Sequence, residues 1–189
     1  MKSRVLATSL LLTLLLQGCA TNQPKLDKYY SKSEYTKLTY CVALADTVHF
    51  VALQKLRKKP QEELIEAYKK RKNSELNIAT VKKVYNEEFT NSWDYTVKFY
   101  DTCGMKLADM DATRIRFASY CHQNALIAGL ASIYKKIGEP KEKLYKIYEK
   151  SKSTAPLKII DRVYAGDKSH AESKLSEWQL CMSEISETK

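Results

Sequence analysis

The chain has 189 residues, with 32 Lys and Arg against 22 Asp and Glu, and only five Gly and four Pro. With 44% apolar residues and a net charge of +10 it is no disordered polyelectrolyte, and so few turn-formers argue against a β-sandwich rich in tight turns. The length suits one domain or two small ones, and the abundance of Lys, Glu, Leu, Ala and Tyr favours helices.

The first element is a short apolar run, Val5 to Leu16, behind Lys2 and Arg4. Twelve helical residues rise about 18 Å, well short of the roughly 30 Å hydrocarbon core, which disfavours a permanent transmembrane span. A charged start, a short apolar core and small residues after it form the pattern of a removable secretory signal. Leu16-Gln17-Gly18-Cys19 resembles the lipobox of bacterial lipoprotein precursors. The resemblance covers about the first twenty residues. It implies cleavage after residue 18 and lipid attachment at Cys19. Ala20, in place of the Asp that favours inner-membrane retention, implies an outer-membrane destination, and the periplasmic side is the expected orientation. Without residues 1–18 the charge is 30 cations against 22 acids, or +8.

Residues 19–32 lack an apolar period and read as the lipidated Cys and a tether. Ser31-x-x-Glu34 then has the form of a capping box. Leu38, Cys41, Val42, Ala45, Val48, Ala52 and Leu56 continue as one helical stripe. Lys55 to Lys59 crowds the end of that helix, and Pro60-Gln-Glu-Glu opens a second, reaching about Lys72. A third helix is expected over 76–88 and a fourth over 92–110.

The pattern then restarts. Tyr40-Cys41 recurs as Tyr120-Cys121, and the same shift of 80 carries Pro60-x-Glu62-x-Leu64 onto Pro140-x-Glu142-x-Leu144 and Tyr68 onto Tyr148. Two single-residue losses later, Val84-Tyr85 falls on Val163-Tyr164 and Cys103 on Cys181. Trp93, Val97, Tyr100, Gly104 and Leu107 share a register with Ala171, Leu175, Trp178, Met182 and Ile185. Between Tyr40 and Asn73 ten of 34 aligned positions are identical, three of them Lys on Lys. The expected architecture is an all-α, disulfide-stapled helical bundle of two tandem four-helix repeats, 33–110 and 111–189. Equivalent cysteines of a repeat pair alike, which predicts Cys41–Cys103 and Cys121–Cys181. Each would close a loop of about sixty residues, worth about 4 kcal/mol in the chain-entropy model.

Catalytic signals are sparse. His49 has no metal-ligating partner three or four residues on, and His122 points to a different helical face from Cys121. No G-x-S-x-G, P-loop, H-E-x-x-H or CxxC occurs, and neither a Ser/His constellation nor a cluster of acids is apparent. No cofactor or metal is expected. Asp109-Met-Asp111 reads as a helix cap, and Asn124–Ile133, apolar nearly all round, as a buried central helix.

The remaining signal is basic. Lys69, Lys70, Arg71 and Lys72 end the second helix, and Lys146, Lys150 and Lys152 echo them in the second copy. They are candidates for contact with an anionic lipid, lipopolysaccharide or cell-wall surface. The envelope address disfavours nucleic acid. The expected function is therefore a non-enzymatic envelope lipoprotein that binds an envelope component or a protein partner. A compact, disulfide-stapled helical lipoprotein is also similar in architecture to the pilotins that escort secretins, although no pilotin motif is present. An envelope enzyme is the third reading.

Overall fold

The computed structural model describes residues 29–187, with side chains described to residue 184. The signal run, Cys19 and most of the tether lie outside the described residues. Eight helices follow in order: α1 (Lys32–Leu56), α2 (Gln61–Lys69), α3 (Ser74–Asn86), α4 (Ser92–Ala108), α5 (Ala112–Lys136), α6 (Glu142–Tyr148), α7 (Ala155–Ala165) and α8 (His170–Glu187). Among the described residues there is no strand, and no helix is long and apolar enough to cross a membrane.

The caps follow the sequence. The Ser31 hydroxyl accepts from the Glu34 amide while the Glu34 carboxylate accepts from the Ser31 amide, so two orphan donors are satisfied together. Asp111 caps α5 by accepting from the amides of Thr113 and Arg114. The tether is shorter than expected. Tyr30 is buried and donates to the Arg114 carbonyl, and Tyr29 packs edge-on against Phe117, so residues 29–32 belong to the bundle. Arg114 further forks onto Glu34, holding that carboxyl down at a pKa of about 2.

The four long helices form the centre. α1 packs along α4, α5 packs along α8, and α4 meets α5. Their shared core holds Leu38, Tyr100, Ile115, Trp178 and Met182 together with both disulfides, Cys41–Cys103 and Cys121–Cys181. This is the connectivity that the matched spacing predicts. Because that core draws on both halves, the chain makes one central bundle, not two separate ones.

Each half adds a smaller apolar layer. Val48, Val51, Leu64, Val81 and Val84 form one beneath α2 and α3. Ala128, Ala131, Leu144, Ile160 and Val163, each 79 or 80 residues later, lie in the other, beneath α6 and α7. The corners match too. Lys55 Nζ donates to the carbonyls of Val84, Tyr85 and Glu87 at the C-terminal end of α3, and Lys135 Nζ reaches those of Val163 and Gly166 at the C-terminal end of α7. Tyr85 donates to the Lys59 carbonyl, and Tyr164 to that of Glu139.

Some stripe edges differ from expectation. Leu56 and Leu107 are exposed, because α1 turns Val51 inward and α4 buries Ser92, Thr96, Tyr100, Gly104 and Ala108 at a spacing of four. Ala171 is likewise exposed, and α8 buries Ser173, Lys174 and Glu177 beside Trp178. α2 ends at Lys69, three residues early. Asn73 turns left-handed there, and its near neighbour Asn77 donates from its side chain to the Lys72 carbonyl. Lys70, Arg71 and Lys72 therefore lie in a turn, as do Lys150 and Lys152 beyond α6. α3 and α4 end at Asn86 and Ala108, two residues short of the expected ends.

α1 and α5 both end in a Schellman turn. Lys59 N bonds Gln54 O and Lys58 N bonds Lys55 O; Glu139 N bonds Tyr134 O and Gly138 N bonds Lys135 O. The residue forced to positive φ is Lys58 (60°) in one and Gly138 (76°) in the other. A Cβ at Gly138 would meet nothing within 4 Å, so backbone strain alone separates the two. Lys58→Gly is expected to stabilise the protein by about 1 kcal/mol, and Gly138→Lys to destabilise it by a similar amount. Urea unfolding of the two variants checks both signs.

Candidate functional site

The boundary between the halves gathers a cluster of polar side chains. Asp46 and His49 come from α1, Thr96 from α4, Ser132 from α5, and His170 and Lys174 from α8. Lys174 is 4% exposed, and its ammonium donates across the boundary to Asp46 Oδ1. Burial pushes the Lys174 pKa down, and Asp46 opposes the shift. Burial also raises the Asp46 carboxyl, but His170 and Lys174 outweigh it and hold the group well below the usual carboxylate range.

Gly129 on α5 makes room for this pair. A Cβ there would stand 2.9 Å from Lys174 Cδ and 3.1 Å from His170 Cε1. Glycine inside a helix costs about 1 kcal/mol relative to alanine, so close approach of the Lys174 stem is the reason for it.

The two flanking histidines are oriented by hydroxyls. Thr96 gives its proton to the Ser92 carbonyl at 2.7 Å, so His49 Nδ1, 3.1 Å from Thr96 Oγ1, is the donor in that contact. Ser132 gives its proton to the Gly129 carbonyl at 2.8 Å, and its Oγ lies 2.8 Å from His170 Nδ1. His170 Nε2 then faces Asp46 Oδ1 at 3.6 Å.

Ser132, His170 and Asp46 thus form a Ser/His/acid constellation that the sequence did not disclose. Its polarity is wrong for a nucleophile. A general base must accept the serine proton, whereas here that proton is held by a helix carbonyl. Ser132 also lies inside α5, whose amides are engaged in helical bonds and offer no oxyanion donors. Among the described residues no group of three or more His, Cys, Asp or Glu is placed to hold a metal ion.

Three cavities meet at His170. One of about 590 Å³ is lined by Ser132, Lys135, Lys136 and Lys168, and one of about 550 Å³ by Asp46, Tyr68, Arg71 and Lys72. Between them a slot of about 130 Å³ is walled by Phe50, Leu53, Trp93, Leu126, Leu130 and Ile133. The polar cluster forms its remaining side.

Of the residues that the sequence singles out, Arg71 and Lys72 reach this cleft. Lys69 is spent on Glu66, and Lys70 is exposed beyond α2. Lys146, Lys150 and Lys152 are exposed around α6 and line none of these three cavities. Asp46, Ser132 and Lys174 were missed because a single helical stripe gives no hint of a cross-boundary contact. Aligning the two halves does. Asp46 corresponds to Leu126, His49 to Gly129, Ala52 to Ser132, Ser92 to His170 and Thr96 to Lys174.

His122 has a structural role. It is wholly buried and stacked parallel on Tyr100, with ring centroids 4.3 Å apart, and neither ring nitrogen has a hydrogen-bond partner among the described residues. Burial first, then the charge of Lys174, pushes its pKa down to about 3. No protein-family model matches the chain, and no curated protein or solved structure shows significant similarity to it.

Unfolded imidazole takes a proton near pH 6.5, and the folded site resists it down to about pH 3. Stability is therefore full above about pH 6.5 and falls as the pH drops from there toward 3. By pH 5 the loss from His122 is about 2 kcal/mol. His122→Phe keeps the stack and removes the proton acceptor. Urea unfolding at pH 7 and pH 5 should show the variant losing about 2 kcal/mol less than the natural chain; equal losses would contradict the assignment.

Proposed function

We propose that this chain is a lipid-anchored, non-enzymatic binding protein of a bacterial envelope, held at the outer membrane on its periplasmic side by acyl chains on Cys19. The observation that carries the binding role is the cleft: a buried lysine paired with a half-buried aspartate, two oriented histidines, and an apolar slot between two larger cavities that meet at His170. Paired cysteines support an oxidising compartment outside the cytoplasm. The address itself rests on the spelling of Leu16 to Cys19. Two or more acyl chains would make that attachment stable, since one alone binds a bilayer only marginally.

The same reading treats the halves as products of an internal duplication. The matched layers, Lys caps and Schellman turns support it. In such a chain the second copy has been free to diverge where it faces the first, and that is where the cleft lies. The binding class is an anionic envelope component, or an envelope protein that presents one.

The hydrolase reading rests on Ser132, His170 and Asp46. Cys19→Ser tests the address and Ser132→Ala tests the chemistry. Cys19→Ser should leave an unprocessed or soluble product lacking the mass of the acyl chains. Unchanged membrane fractionation and mass would defeat the anchor. The natural chain should not hydrolyse p-nitrophenyl butyrate above background. Turnover abolished by Ser132→Ala would make the chain an enzyme.

A further inference from the structure

We infer that the cleft between the halves binds a small anionic amphiphile, a carboxylate or phosphate joined to a ring-sized or short-alkyl apolar group. The inference deepens the binding role proposed above and does not depend on the lipid anchor.

The apolar end is set by the slot. Its volume, about 130 Å³, is close to the roughly 150 Å³ of apolar cavities that accept benzene. Phe50 and Ile133, 45% and 46% exposed, stand at its mouth as large apolar side chains that a ligand would cover. The slot is too small for a folded partner's helix, which favours a single small group.

The charged end is set by the rim. Inside the cleft Asp46 and Lys174 neutralise one another. The rim therefore decides the sign, and the two flanking cavities present Arg71, Lys72, Lys135, Lys136 and Lys168 against Asp167 and the already paired Asp46. Lys135 is committed to carbonyls, and Lys168 to Ser176. Arg71 stacks on Tyr68 with its guanidinium carbon 5.2 Å from the ring centre, and it lines the same cavity as Lys72. A planar fork next to a point charge suits a carboxylate or phosphate. The cavity lined by Arg71 and Lys72 shares Asp46, Phe50 and His170 with the slot, so one molecule can occupy both.

The departure from the repeat points the same way. Replacing a buried ion pair with apolar residues is often neutral or stabilising. The polar residues at 46 and 174 therefore have little claim on stability as their reason for being there.

The test uses the full chain in neutral phosphatidylcholine vesicles, read by Trp93 fluorescence, with Trp93→Phe as the control for signal from the slot. Hexyl phosphate and hexanoate should give saturable changes, while hexanol and inorganic phosphate bind at least tenfold more weakly. Arg71→Glu with Lys72→Glu, both exposed, should weaken the two acids at least tenfold. Leu53→Glu, which lines the slot with a carboxylate, should abolish their binding while the thermal melt stays cooperative. Lys150→Glu with Lys152→Glu, on the distal turn, should change nothing. Tighter binding of hexyl phosphate would identify a lipid-type headgroup as the source, and tighter hexanoate a free carboxylic acid; either supports the inference. Equal affinity for hexanol and hexyl phosphate, insensitivity to the Arg71 and Lys72 reversals, or no saturable signal would overturn it. An anchor defeated by Cys19→Ser leaves this result untouched, so the two failures are distinguishable.

Discussion

A buried ammonium needs its partner, and Lys174 finds it on the other half of the molecule. Its stem runs beside Gly129 on α5, and its head meets Asp46 on α1. Removing one member of such a pair leaves an uncompensated charge, at a cost of about 3–5 kcal/mol. The contact ties α8, which packs along α5, to α1 across the boundary. His170, one turn earlier on α8, is held between Ser132 and Asp46 by the same placement. The cavities open around His170.

Around this contact the two halves repeat one solution to the same problem. A long helix must end, reverse and be covered by two short ones. The Schellman turns make the reversal, Lys55 and Lys135 satisfy carbonyls at the far ends of α3 and α7, and one disulfide per half joins the first helix to the last. The scaffold is matched and the boundary is not. At the boundary the first half supplies an acid, a histidine and a threonine, the second a glycine, a serine, a histidine and a buried lysine. That asymmetry yields a single cleft where two equivalent ones would otherwise be expected.

Much of the scaffold was legible in the sequence, because its signals are local. Ser31 and Glu34 lie three residues apart, Asp111 adjoins the helix that it caps, and the cysteine spacings repeat. The Lys55–Lys135 identity looked uninformative among so many lysines, yet both side chains are structural caps. Leu56 and Leu107 were misjudged because a stripe's edge is set by the neighbouring helix and not by its own period. Tyr30 was assigned to the tether because its burial depends on Arg114, 84 residues away. The cleft was the least legible part. Asp46 and Lys174 are 128 residues apart, and neither residue carries a recognisable motif. Only the contrast between aligned halves marks them.

The Asp46–Lys174 contact is measured by a double-mutant cycle. Leu126 and Thr96 stand at the corresponding positions of the other half, so Asp46→Leu and Lys174→Thr make the halves alike at these two positions. Urea unfolding of the four proteins gives the coupling. Asp46→Leu alone should cost about 3 kcal/mol by stranding the lysine, and the double variant should return to within about 1 kcal/mol of the natural chain. If Asp46→Leu alone costs less than about 0.5 kcal/mol, or the two changes simply add, the contact does not organise the boundary.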